Sequence, residues 1–365
     1  MSSSPKREIG GTSSILGASF NPAKMDRRLL MLFVIVVLIF LVMSVLKPDV
    51  FPTTTNFGSM TVQFPEIGIL AIAIMITMIT GGIDLSVTAT ANLTGTIAAF
   101  ILVAMVPQDA GALQSIPGVL TAVVVALAIG ALCGLLNGIL VAIVGITPIL
   151  ATLGTLSLYT GFAIVLSKGT AIFGVPQFQA LSEASLFDLI PTPLILFLVV
   201  TVIFSVILNR TPYGFRLYLL GSNPTAARFS GVNERRMLIL TYMLSGMLGA
   251  LAGLIFLSRN NSAKADYGSS YVLQAILIAV LGGINPAGGF GKISGLVLAI
   301  LALQFLSTGL NMLLITYSGS NFFKEFAWGA LLLLVMVFDS LPNILPRRIT
   351  ARAPTLQESE KEQRT

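Results

Sequence analysis

From Leu29 to Leu46 the chain carries no charged side chain, and comparable apolar runs recur almost to its end. A helix needs about 20 such residues to cross a bilayer's hydrocarbon core. Of the 365 residues, 55% are hydrophobic and 10% charged, whereas an ordinary soluble domain has roughly 25% charged. Lipid must therefore be the solvent for much of the surface. In lipid the backbone has to satisfy its own hydrogen bonds, so runs of this length form helices. The fold class is all-α, a polytopic integral membrane protein. A cleavable signal has an apolar core of about 7–15 residues followed by a small-residue cleavage site. The first run is longer and ends in Lys47-Pro48-Asp49, so it reads as a retained span.

Ten spans are predicted, near 29–46, 62–80, 85–106, 118–144, 147–167, 191–209, 237–257, 271–282, 293–315 and 323–341. The run 271–282 is too short to cross alone. Either it continues into the Gly-rich stretch after it, or it is a broken helix covered by protein. Orientation follows the basic residues, which collect on the cytoplasmic side. Three clusters occur: Lys6, Arg7, Lys24, Arg27 and Arg28; then Arg210, Arg216, Arg228, Arg235 and Arg236; then Arg347, Arg348, Arg352, Lys361 and Arg364. Ten spans with a cytoplasmic N-terminus place all three inside, so both termini are expected there. The expected organisation is a disordered cytoplasmic segment over 1–28, one transmembrane domain over 29–345 with a cytoplasmic connection at 210–236, and a cytoplasmic tail over 346–365. The polar ends hold too little apolar surface to offset their ordering entropy.

Several chemistries are excluded. The chain has no histidine, so His relays, His metal ligands and His-containing triads are ruled out, and its one cysteine, Cys133, forms no internal disulfide. The net charge of +6 follows the connections rather than forming a nucleic-acid surface. The stretch Gly288-Gly289-Phe290-Gly291-Lys292-Ile293-Ser294 approaches a phosphate loop. That motif needs a hydroxyl residue directly after the lysine and a glycine where Pro286 stands. No cofactor site is therefore expected, and any ATP and magnesium would be bound by another chain.

Polar residues inside apolar helices are costly and usually face the protein interior. Gly81 and Gly82 are expected to break a helix, and Asp84 or Ser86 to cap the next by accepting from its free amides. The alternative makes Asp84, Glu66 or Asp339 the coupling acid of an ion-driven carrier. Thr152, Thr155 and Tyr159 share one helical face, as do Gln304, Thr308 and Asn311. With Asn137 these are candidates for a solute path, since amides and hydroxyls donate and accept without a fixed charge. The other reading is bonding to neighbouring helices. Gly130, Gly134 and Gly138 form a small-residue stripe, and Gly249 and Gly253 another, suited to close helix packing. In the 210–236 connection, Ser222 or Asn223 can cap a short helix that starts at Pro224 and ends by Gly231. This is a docking element or a basic loop beside anionic lipid.

At this connection the chain resembles the membrane permeases of ATP-binding-cassette importers for ribose, xylose, arabinose and galactose. Those carry Gly-x-Asn-x-x-Ala-Ala-x-x-Ser-Gly-Ile/Val, matched by Gly221, Asn223, Ala226, Ala227, Ser230, Gly231 and Val232. Gly81 to Val87, Pro148 to Gly161, and Leu281 to Gly295 followed by Gly309-Leu310-Asn311 also resemble the family in its order. The likeness implies ten helices around a sugar path. It makes Gly221, Asn223, Pro224, Ala226, Ala227, Arg228, Ser230 and Gly231 an ATPase-coupling loop. The implied partners are cassette ATPase subunits, a periplasmic sugar-binding protein and a second or sister permease, in the bacterial inner membrane. No nucleic acid and no enzymatic activity are implied. Thr88-Ala89, Thr160 and Asn285-Pro286-Ala287 depart from the usual residues and leave the solute unassigned.

Overall fold

The computed structural model describes residues 27–107, 109–186, 190–314, 326–333 and 337. Twelve helices follow one another through the main described stretch: α1 (Arg27–Leu46), α2 (Thr54–Ile79), α3 (Val87–Met105), α4 (Ala112–Ile139), α5 (Pro148–Ser167), α6 (Pro176–Glu183), α7 (Thr192–Arg210), α8 (Pro212–Ser222), α9 (Pro224–Phe229), α10 (Glu234–Asn260), α11 (Tyr271–Leu281) and α12 (Ile293–Leu314). A π-helical turn, Leu140–Val144, extends α4. Among the described residues eight helices are long and apolar enough to cross a membrane. These match eight of the ten expected spans. The expected span 323–341 falls largely outside the described residues, though 326–333 is helical. The terminal segments 1–26 and 338–365 also lie outside them.

α2 and α10 form the centre. Every residue of α2 from Pro65 to Ile79 is buried, with aliphatic side chains all round the helix, the pattern of a helix enclosed by others. α10 packs against α4, α3 and α2. The glycine stripes explain how closely. A Cβ on Gly134 would collide with the Tyr242 backbone, one on Gly138 with Ile239, and one on Gly246 with Gly130 and Gly134. On the other side of α10, Cβ atoms on Gly249 and Gly253 would meet the backbone of Val87 and Ala91 in α3. α10 is thus gripped by backbone-to-backbone contact on two faces. α1 is peripheral, leaning on α12 with most of its apolar side chains exposed, as a lipid-facing helix should be.

α11 ends at a two-glycine turn, with Gly283 at φ +89°. It does not continue into the Gly-rich stretch. The irregular stretch 261–270 precedes it, anchored where Ser262–Ala263 pairs antiparallel with Ile172–Phe173 and where Asn92 Nδ2 donates to the carbonyls of Ala265 and Tyr267, both at 2.9 Å. α11 is thus a short helix with irregular backbone on both sides. Protein covers and bonds the irregular backbone before it, the condition under which such backbone is tolerated in a membrane protein.

Candidate functional site

A polar cavity of about 280 Å³ lies between α2, α10, α11 and α12. Gln63 and Glu66 enter it from α2, Arg259 from the last turn of α10, and Tyr271 and Gln274 from α11. Gln304, Ser307 and Asn311 face it from α12, Ser270 from the stretch before α11, and Trp328 closes one wall. Glu66 is 1% exposed. Its Oε1 lies 2.9 Å from Arg259 Nη1 and accepts a hydrogen bond from the Tyr271 hydroxyl at 3.3 Å. Its Oε2 has no partner among the described residues. An isolated buried carboxylate would be very costly, and the adjacent guanidinium offsets part of that cost. Gln304 Nε2 donates to Thr308 Oγ1 at 3.2 Å and, at 3.5 Å, to Gln63 Oε1. The lining can therefore donate and accept widely while remaining neutral overall.

Of the seven residues expected on a solute path, Gln304 and Asn311 line this cavity, and Thr308 is held beside it. Asn137, Thr152, Thr155 and Tyr159 are not among its lining. They belong to a second, buried network near the far end of α2. Asp84 Oδ1 accepts from the Ser86 amide at 3.0 Å and the Ser86 hydroxyl at 2.7 Å. Its Oδ2 accepts from Ser245 Oγ of α10 at 2.7 Å. Asn137 Nδ2 donates to Ser86 Oγ at 2.8 Å and Thr155 Oγ1 to Asn137 Oδ1 at 2.6 Å. Thr152 Oγ1 donates to the Ile83 carbonyl at 3.0 Å, and the Tyr159 hydroxyl to that of Cys133 at 2.8 Å. The network sews the 80–86 connection to α4, α5 and α10.

Gly81, at φ +84°, ends the turn after α2, and Gly82 has no room for a Cβ beside Tyr242 and Pro148. The expected cap is corrected here. α3 starts after Ser86 without a side-chain cap bond, because the Ser86 hydroxyl is spent on Asp84 and Asp84 closes a turn on the Ser86 amide instead.

At the end of the bundle where α2 finishes, α8 and α9 form a projecting tip. Asn223 caps α9, accepting from the Ala226 amide at 3.0 Å. Gly231, at φ +79°, ends it, with the Val232 amide returning to the Ala227 carbonyl at 3.0 Å, the left-handed termination that glycine favours. Ser230 Oγ donates to the Ala226 carbonyl at 2.9 Å, and Arg228 Nε to Glu234 Oε2 at 2.6 Å. Ala227 is fully buried in the chain's own core. The exposed apolar groups are instead Phe229 at 90% and Phe215 at 70%, which sequence reasoning passed over. Behind them, a Cβ on Gly221 would strike the Ile79 carbonyl and the Gly289 amide. That amide donates to the Ile79 carbonyl at 2.8 Å, and the Tyr218 hydroxyl to the Gly291 carbonyl at 2.7 Å. The tip is thus joined to the end of α2 and to the Gly-rich turn before α12.

A membrane-embedded helical bundle with a charge-balanced polar cavity inside and a rigid exposed tip at one end is built as a transport subunit. Residues 56–338 match the family described as the permease component of branched-chain amino acid transport systems. The chain belongs to this family, and it is the permease subunit of an ATP-binding-cassette importer rather than an enzyme. It is similar to the autoinducer 2 import system permease protein LsrD of Yersinia enterocolitica, 35% identical over 288 residues, covering 77% of this chain and 82% of that one. The proteins of the same name from Yersinia pseudotuberculosis serotype O:1b and Yersinia pestis strain Pestoides F are 34% and 33% identical over the same shares. No solved structure matches. Importers of this kind work with ATPase and solute-binding subunits, and the ion-coupled reading of Asp84 finds no support.

Proposed function

We propose that the permease moves a small, neutral, hydroxyl-rich solute, a monosaccharide or a related polar molecule, into the cell across the bacterial inner membrane. The observation that carries this reading is the cavity lining: amides, hydroxyls and one balanced ion pair around about 280 Å³. That volume lies just below the usual range of ligand sites, roughly 300–1,000 Å³, which suits a small solute. Relatives named for autoinducer 2 import agree with a small polar cargo. A branched-chain amino acid, which the family description names, would need a larger apolar pocket for its side chain than Ile67 and Trp328 offer.

In this reading a periplasmic binding protein delivers the solute at the end where α10 finishes and α11 begins. Cassette ATPases, which hold the ATP and magnesium, bind at the opposite end around α8 and α9. A second copy or a sister permease completes the path. Closure of the ATPases presses the tip, and the Gly221–Ile79–Gly289 junction passes the movement into α2, which carries Gln63 and Glu66.

The test is to purify the tagged chain from its own cells in mild detergent and identify its companions by mass spectrometry. An ATPase and a binding protein are expected, and the ligand of that binding protein should be neutral and polyhydroxylated. A binding protein loaded with an amino acid would overturn the cargo assignment.

A further inference from the structure

The Glu66–Arg259 pair has a geometry that a purely structural ion pair does not need. Oε1 takes both the guanidinium contact and the Tyr271 hydroxyl, while Oε2 is buried without a partner among the described residues. Fully buried acceptors are normally satisfied, and each exception calls for a reason. Both residues line the cavity, together with Trp328, the only tryptophan in the chain. Arg259 presents a planar fork of five donors; one is placed on Glu66, others lie against the Tyr267 and Tyr271 hydroxyls, and the rest of the fork borders the cavity. A free carboxylate oxygen beside a guanidinium offers one strong acceptor and one strong donor side by side. The complementary ligand is a pair of adjacent hydroxyls, one donating and the other accepting. An indole face nearby suits the C–H face of such a molecule, because the ring face is electron-rich.

We propose that Glu66 and Arg259 together form a two-point recognition site for a vicinal diol of the transported solute. This rests on the cavity being the solute site, as proposed above. The pair makes the permease itself selective for one arrangement of hydroxyls.

The test uses the full-length permease in detergent micelles and reads the fluorescence of Trp328 as neutral pentoses and hexoses are added. D-ribose, D-xylose, L-arabinose and D-galactose form the first panel. Singly deoxygenated analogues of whichever sugar responds form the second. The expected result is a saturable change with at least one sugar, and a loss of about tenfold or more in affinity for the analogues lacking either of two neighbouring hydroxyls, the size of a charge-assisted hydrogen bond. The other analogues should bind nearly as well as the parent. This arm needs no variant and so no question of misfolding arises.

The paired variant Glu66→Gln with Arg259→Gln removes both charges at once and strands neither. It should bind the parent sugar about tenfold to a hundredfold more weakly and no longer distinguish the analogues. Equal binding of all analogues, or a paired variant that still discriminates, would overturn the diol site while leaving the cavity as the solute site. No saturable response to any sugar would overturn the cavity reading, and this proposal with it.

Discussion

At the scale of single residues, the clearest constraint is Gly134. Its Cα rests against the backbone of Tyr242, and the same helix pair meets again at Gly130 and Gly138. Gly134→Leu therefore forces α4 and α10 apart. Overpacking of this kind costs about 1–3 kcal/mol or more, and a lower thermal unfolding midpoint in detergent is the expected result. An unchanged midpoint would contradict the backbone contact. Asp84 looked from its sequence like either a cap or a coupling acid. Both its oxygens are already occupied by Ser86 and Ser245, which gives it a stitching role among four elements. Glu66 was visible as an intramembrane acid, but its partner was not, because Arg259 lies far along the chain and reads as a charge in an outer connection.

At the scale of elements, α8 and α9 act as one unit. The capping residue and the terminating glycine of α9 were readable, since an Asn before a proline and a Gly seven residues beyond the helix start carry local signals. The face that α9 presents was not readable, because burial depends on what lies beneath. Ala227 points into the core, so an aspartate there would bury an unpaired charge and lower folded yield, and lost uptake would say nothing about docking. Phe229 is the informative position. Phe229→Ala should leave membrane abundance and thermal stability unchanged and reduce solute uptake at least several-fold, because an exposed aromatic is the kind of anchor that dominates an interface. Radiolabelled uptake against an immunoblot of the membrane fraction decides it, and full uptake would remove Phe229 from the docking surface.

At the scale of the whole molecule, the site and the tip lie at opposite ends of α10. From Glu234 to Arg259 the helix runs roughly 40 Å at 1.5 Å per residue, so any coupling between them has to travel through packed elements. α2 is the direct route, buried throughout its second half and bonded at Ile79 to the Gly-rich turn. Energy supplied by a partner ATPase predicts a definite response to poisons. Uptake should survive a protonophore as long as cellular ATP is maintained, and should stop when ATP is depleted with the membrane potential preserved. Sensitivity to the protonophore alone would contradict the importer mechanism.

The solvent of this chain, its helical class and the approximate place of eight of its spans were decided locally. A window of some 20 uncharged residues has one low-energy answer in a bilayer whatever its neighbours do. The glycine breaks at Gly81 and Gly231 were likewise local, since only glycine enters those backbone conformations without strain. The separation of one polar set into a buried network and another into a cavity was not local. Thr152, Thr155 and Tyr159 lie on one helical face over a seven-residue interval, as do Gln304, Thr308 and Asn311. What distinguishes them is that the 80–86 connection and α4 fill the space beside the first set, while the space beside the second stays open between α2, α11 and α12. Periodicity says which side chains share a face; only the packing of distant helices decides whether that face meets protein or an open cavity.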